Sequence, residues 1–304
     1  MRVTQLEVSR NLLTDLEKLN RNFVDVDRQL STGKKLNYLG DSPLGSADLV
    51  DITEHALRLD AYRFNITNST NQLKSAESVL NLANNAFVSI HTLGVQAATE
   101  TLNDEARKAI LNEMEKLREE LLSIGNSKVD GRYLFAGSKI EDAPFELVET
   151  SPGSDLFNVV YKGNNNVISV PVGDGVEVVA GVSGEKALGA VFKKVDDLIE
   201  AISNSITGLG TVEGIGTALG GYNEALNELG QARGQLGVSL SMVERLSEMI
   251  NVRDGVLKEQ RSSIEDANIL DVTVRITLLR TAISAALSAG GAVLQQNSLF
   301  DTIG

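Results

Sequence analysis

The chain has no cysteine, no tryptophan, two histidines and four prolines among its 304 residues. Without cysteine it has neither disulfides nor thiolate metal sites, and His55 and His91 are too few for an imidazole-rich cluster, so no metal or other cofactor is expected. Aromatic residues make up 4% of the chain, a thin supply of the bulky groups that fill a compact enzyme core. Packing of Leu, Ile, Val and Ala between helices is the expected alternative. Positive charge is also in the minority, with 28 Lys and Arg against 41 Asp and Glu. A net charge of -13 without a basic patch repels a phosphate backbone, which argues against a nucleic-acid partner. Long apolar runs are scarce as well. The stretch 281–300 lacks charge, but Ser284, Ser288, Gln295, Gln296 and Asn297 make it a poor membrane span. Arg2, Glu7, Arg10 and Asp15 interrupt the first residues, so no cleaved secretory leader is expected.

What the chain does have is heptad periodicity. Leu12, Leu16, Leu19, Phe23, Val26 and Leu30 alternate spacings of four and three, the pattern of a helix that needs a partner helix. The seam ends at Gly33, and Asp41, Ser42 and Pro43 supply a cap and a helix-starting proline. Ile52, Leu59, Ile66, Leu73, Leu80 and Phe87 then recur every seven residues, which predicts one long helix over 46–99, about 80 Å at 1.5 Å per residue. Asn103 and Asp104 read as the cap of a third helix with its seam at Ile110, Met114, Leu117, Leu121 and Ile124.

Near Asn126 the composition changes. Valine-rich runs such as "FNVVYKG", "VISVPVG" and "VEVVAG" predict a small β-rich insertion over 131–184, with hairpin turns at "KGNNN" and "GDG". A short helix around 187–203 and a flexible stretch with six glycines from Gly208 to Gly221 lead out of it. Tyr222, Leu229, Leu236, Val243, Ile250, Leu257 and Ile264 mark a second long helix. Its interior glycines, Gly230, Gly234, Gly237 and Gly255, each cost about 0.5 to 1 kcal/mol, and packing is expected to compensate. The last helix carries Val272, Ile276, Leu279, Ile283, Ala286, Gly290 and Val293.

The two ends match in length and seam, so they are expected to pair, and the two long helices form a second matched pair. The predicted fold class is mainly α with a small β-rich insertion, an elongated rod of antiparallel coiled-coil helices. Its expected domains are a terminal coiled-coil core (1–42 and 268–304), a helical rod (43–130 and 185–267) and an outer β-rich domain (131–184). Leu12, Leu16, Leu19, Phe23, Val26 and Leu30 are the expected partners of Ile276, Leu279, Ile283, Ala286 and Val293, and this terminal seam is the candidate assembly interface. Asn, Ser and Gly interruptions make such an isolated two-helix seam marginal.

The "STGKK" segment falls short of a phosphate loop, since Arg28 stands where the leading glycine belongs and Lys35 where the magnesium-binding hydroxyl belongs. Glu119 with Glu120, and Asp196 with Asp197, are adjacent on helices and point apart, so solvated faces explain them better than acid-base chemistry. His55 and His91 read as partly buried helix residues with nothing to position them for catalysis. No catalytic set emerges, and an enzyme is not expected.

"LSTGKKLN" followed by "DSP", and "LGVQAATETL" at 93–102, resemble segments of the N-terminal half of bacterial flagellins; "GQLGVSLSMVERL" and "RSSIEDANI" resemble their C-terminal half. Between them, "DGRYLFAGSKIEDAPFE" at 130–146 resembles the signature of the hook-filament junction, or third hook-associated, branch, carried here by Gly131, Arg132, Tyr133, Leu134, Phe135, Ala136, Gly137, Pro144 and Phe145. "VYKGNNNVISVPVGDG" and "GEKALG" look like that branch's next two motifs. The resemblance implies a structural, non-catalytic adaptor outside the cell, a ring of copies between a hook-side junction protein and the flagellin filament. It further implies export through the flagellar type III secretion route, with a cytoplasmic chaperone on the C-terminal helix. The alternatives are a minor flagellin that forms the filament itself, or a surface enzyme with its site in the β-rich tip.

Overall fold

The computed structural model describes residues 2–150 and 156–301, with side chains described at 7, 9–150 and 156–292. The described chain is mainly α. Its helices are α1 (Arg2–Thr32), α2 (Pro43–Ala97), α3 (Asp104–Gly125), α4 (Ala190–Thr207), α5 (Val212–Ala218), α6 (Tyr222–Glu265) and α7 (Ile269–Asp301). A single π-helical turn, Glu185–Gly189, leads into α4. The strands form three antiparallel pairs: β1 (Lys128–Val129) with β2 (Arg132–Tyr133), β3 (Phe145–Glu149) with β4 (Phe157–Tyr161), and β5 (Ser169–Gly173) with β6 (Val176–Val179). No helix of the described residues is long and apolar enough to cross a membrane.

The chain divides into two compact units, one of residues 1–58 and 252–304, the other of 59–251. In the first unit α1 and α7 run antiparallel. Val26, Val272 and Ile276 form the buried core, flanked by Phe23, Ala267 and Leu279. Near the other end, Leu12 approaches Gly290 so closely that a Cβ there would stand 2.9 Å from Leu12 Cδ2.

In the second unit the seven-residue repeats become the core, with Leu59, Ile66, Leu73, Leu80 and Phe87 of α2 and Leu229, Leu236, Val243 and Ile250 of α6 all buried. The first turn of α6 is held by stacking, since the Tyr222 ring lies 4.7 Å from Phe87 and 3.8 Å from His91. α3 starts on the Asn103 cap, whose Oδ1 accepts the Ala106 N–H at 2.8 Å. Arg107, one turn in, is buried and donates to the carbonyl of Ala97 at the end of α2 and to that of Thr99 in the link that follows.

Several expectations need correction. "GDG" is a hairpin turn, with Gly175 at φ 70° between β5 and β6, but "KGNNN" is not. β4 pairs back with β3, a strand absent from the valine-run reading, and Asn164 is instead taken up in long-range bonds to Ser138. The glycine-rich stretch 208–221 holds α5, started by Thr211, whose hydroxyl accepts the Gly214 N–H. His55 is exposed, with Nδ1 2.8 Å from Arg58. Packing does not compensate for the glycines of α6, because nothing lies within 4 Å of where a Cβ would sit at Gly230, Gly234, Gly237 or Gly255.

Candidate assembly surfaces

The segment with the Ser-Thr-Gly-Lys core is a connection locked to a second connection. Gly33 ends α1 at φ 72° and donates to the Gln29 carbonyl. Lys35 N–H then donates to the Glu265 carbonyl at 2.8 Å, and Ala267 N–H to the Gly33 carbonyl at 2.8 Å, a short antiparallel bridge between the two links. Lys34 Nζ pairs with Glu265 Oε1, Arg261 Nε donates to Glu265 Oε2 at 2.8 Å, and Lys35 Nζ reaches the Ser263 carbonyl. The Lys34 and Arg261 bonds hold the Glu265 carboxyl below its ordinary range. Asp41 Oδ2 accepts the N–H groups of Asn37 and Tyr38, and these two bonds lower its pKa as well. No phosphate cradle results; lysines and amides alike are committed to holding the two links together.

Along the expected interface, Val26 and Ile276 are buried, while Leu12, Leu16, Leu19, Phe23, Leu279, Ile283 and Ala286 are half-buried. Leu30 is exposed, and Val293 lies outside the residues whose side chains are described. Arg280 lies over the Phe23 ring at 5.6 Å.

The seam accounts for one side of α7. At 100° per residue, Leu270, Val274, Leu278 and Ala285 fall on roughly the opposite side, and all are exposed, Leu270 at 80% and Leu278 at 64%. Thr277, Thr281 and Ser288 share that side and are exposed as well, so the apolar row is Leu270, Val274 and Leu278 in the first turns of α7, an exposed cluster that suits a further packing partner. The sequence reading passed over this second stripe, although the spacing of four between its first members was there to be read. A second feature of the same unit is an apolar groove of about 550 Å³ on α2 and the α1–α2 connection, lined chiefly by Leu36, Tyr38, Leu39, Val50, Leu57 and Glu54.

The signature residues of the β-rich region are mostly structural. Asp130 and Gly131 make the β1–β2 turn at φ 50° and 79°. Gly131 and Arg132 are exposed, and Tyr133 is half-buried beneath Lys128 Nζ at 4.2 Å. Leu134, Phe135, Ala136, Pro144 and Phe145 are buried. Phe145 packs on Phe192 and Tyr161, with centroids at 4.7 and 5.3 Å, and its N–H and C=O are both bonded by the Asn126 side chain. Gly137 sits at φ 66° against the Asn164 carbonyl, where a Cβ would come within 2.2 Å, so no other residue fits.

Asp196 departs from its expected place on a solvated face. It is buried beside Arg118, whose Nη1 lies 3.4 Å from Oδ1 and also donates to the Phe157 carbonyl, while Oδ2 accepts the Val159 N–H at 2.7 Å. Burial pushes its pKa up to about 6, outweighing the Val159 bond and the Arg118 charge. The pair ties the β3–β4 hairpin to α3 and α4. The position was readable, because Asp196 follows Phe192 by four and precedes Ile199 by three on the apolar face of α4. Among the described residues no group of three or more His, Asp or Glu side chains could hold a metal ion.

Two family models match the chain: the bacterial flagellin N-terminal helical region over residues 3–140, and the bacterial flagellin C-terminal helical region over 219–300. The chain is 24% identical to flagellar hook-associated protein 3 of Salmonella typhimurium, over 93% of each chain. It is 23% identical to a flagellin of Listeria innocua, over 93% of this chain and 94% of that one. Among solved structures, flagellar hook-associated protein 3 of Legionella pneumophila shares the fold with a TM-score of 0.61 at 14% identity, over 70% of this chain and 98% of that one.

Proposed function

Because this chain belongs to the bacterial flagellin superfamily and is similar over its length to a third hook-associated protein, we propose that it is a structural adaptor of the bacterial flagellum. It joins the hook-side junction protein to the flagellin filament, forms a ring of copies, and performs no catalysis. The observation that carries this reading is α7, packed against α1 on one side and presenting the exposed row Leu270, Val274 and Leu278 on the other, a surface that contact with other subunits would cover. In this reading residues 1–42 and 268–304 form the assembling core, 43–130 and 185–267 a helical domain, and 131–184 the outer domain. The chain leaves the cell by the flagellar secretion route, and a cytoplasmic chaperone covers α7 beforehand.

The first experiment is deletion of the gene in its host, with electron microscopy of the cells and an assay of flagellin in the medium. Bare hooks with unpolymerised flagellin in the medium support the adaptor. A second reading, a minor flagellin, draws on the full-length similarity to the Listeria flagellin. Absent filaments with no flagellin in the medium support that one, and intact filaments overturn both.

A further inference from the structure

We propose, resting on the self-assembly reading above, that the groove on α2 and the α1–α2 connection receives the outer stripe of α7 from a second copy of this chain. The groove offers Leu36, Leu39, Val50 and Leu57, with Leu39 75% and Leu57 65% exposed. The stripe offers Leu270, Val274 and Leu278 in successive turns of one helix, which suits a groove that accepts a helix through residues spaced by four.

Charge selects this occupant over a generic apolar helix. From Pro43 to Leu57, α2 carries Asp48, Asp51 and Glu54 with no Lys or Arg, and Glu54 lines the groove. In a chain of net charge -13, most helices would be repelled there. From Ile269 to residue 292, α7 carries Arg275 and Arg280 against Asp271 alone. The Arg275 partner, Asp271, is exposed and 3.9 Å away, a loose pair that leaves the guanidinium able to face Glu54 of the neighbour. Groove and stripe are different surfaces, so each copy offers both and the contact propagates head to tail, as a ring or open helix requires.

The absence of cysteine makes the test clean. L39C and V274C are made singly and together in the full chain, in the concentration range where sedimentation shows self-association. Under mild oxidation, mixed single variants should give a covalent dimer linked 39 to 274, and the double variant a ladder of covalent multimers. E54R should abolish the ladder, and adding R275E should restore it. Self-association with no 39–274 link, a double variant that stops at dimer, or a ladder unaffected by E54R overturns this contact and leaves the adaptor reading standing. Failure of the chain to self-associate at any concentration overturns the contact and the ring of copies together.

Discussion

Asp196 and Arg118 form an ion pair in which both side chains are less than a tenth exposed, and the carboxylate is bound to the Val159 N–H as well. With its pKa raised to about 6, Asp196 binds its proton more tightly in the folded chain than in the unfolded one. Its contribution to stability therefore grows as pH falls through 6 towards the ordinary aspartate value, opposite to a surface salt bridge. The Asp196→Asn variant removes that proton. The stability of the wild type minus that of the variant should rise by about 1.4 kcal/mol between pH 7.5 and pH 5, read from urea midpoints at the two pH values. A difference that falls over this range would mean the carboxylate gains more from Arg118 than burial costs it.

Glycines in the two halves of unit 59–251 should respond oppositely to alanine. At Gly184 a Cβ would meet the Phe135 carbonyl and the Phe145 and Tyr161 rings, each at 2.8 Å. Backbone and packed rings cannot give way cheaply, so Gly184→Ala should destabilise by about 1 to 3 kcal/mol. Gly230→Ala and Gly234→Ala meet nothing and remove a helix penalty, so each should stabilise by about 0.5 to 1 kcal/mol. Thermal melts of the three single variants distinguish the two classes directly.

That contrast also separates what could be read from the chain from what could not. The long helices were legible because a seven-residue apolar repeat over 44 or 55 residues has few competing explanations. The α1–α7 pairing followed from two matched seams. The β3–β4 pairing was not legible, since Phe145–Glu149 is short and its position depends on Asn126, Phe192 and Tyr161, all distant in sequence. Asp196 was misplaced because its partner Arg118 lies 78 residues away, and the general rule that charges are solvated outweighed its place on the apolar face of α4. The outer stripe of α7 was not legible as a second face because Thr277, Thr281 and Ser288 share that side of the helix and interrupt its apolar pattern.

The link between Lys34 and Glu265 should be measurable but small. Lys34 is 43% exposed, so solvent screens the pair, and a double-mutant cycle with K34M and E265Q should give a coupling of about 0.5 to 1 kcal/mol at pH 7. The Glu265 pKa is lowered, so its contribution is present above the ordinary glutamate value and is lost as pH falls through the folded value. Repeating the cycle at successively lower pH should shrink the coupling, and the loss should begin below the ordinary glutamate value. A coupling that does not shrink on acidification would mean that the charge of Glu265 is not what links it to Lys34.

The unequal cores of the two units predict unequal amide protection in dilute solution. In unit 1–58 and 252–304 the buried apolar core along the terminal helices is Val26, Val272 and Ile276. In the other unit α2 alone buries Leu59, Ile66, Leu73, Ala76, Leu80, Ala83, Phe87 and Ile90. Local opening costs scale with what must be exposed, so amides of residues 9–30 and 269–292 should exchange much faster than those of 66–90 in the monomer. The same α7 amides should slow on self-association, because covering Leu270, Val274 and Leu278 adds a second buried face to the helix. Equal protection of the two regions in dilute monomer would mean that α1 and α7 are already stable as a pair, and that assembly does not supply the missing burial.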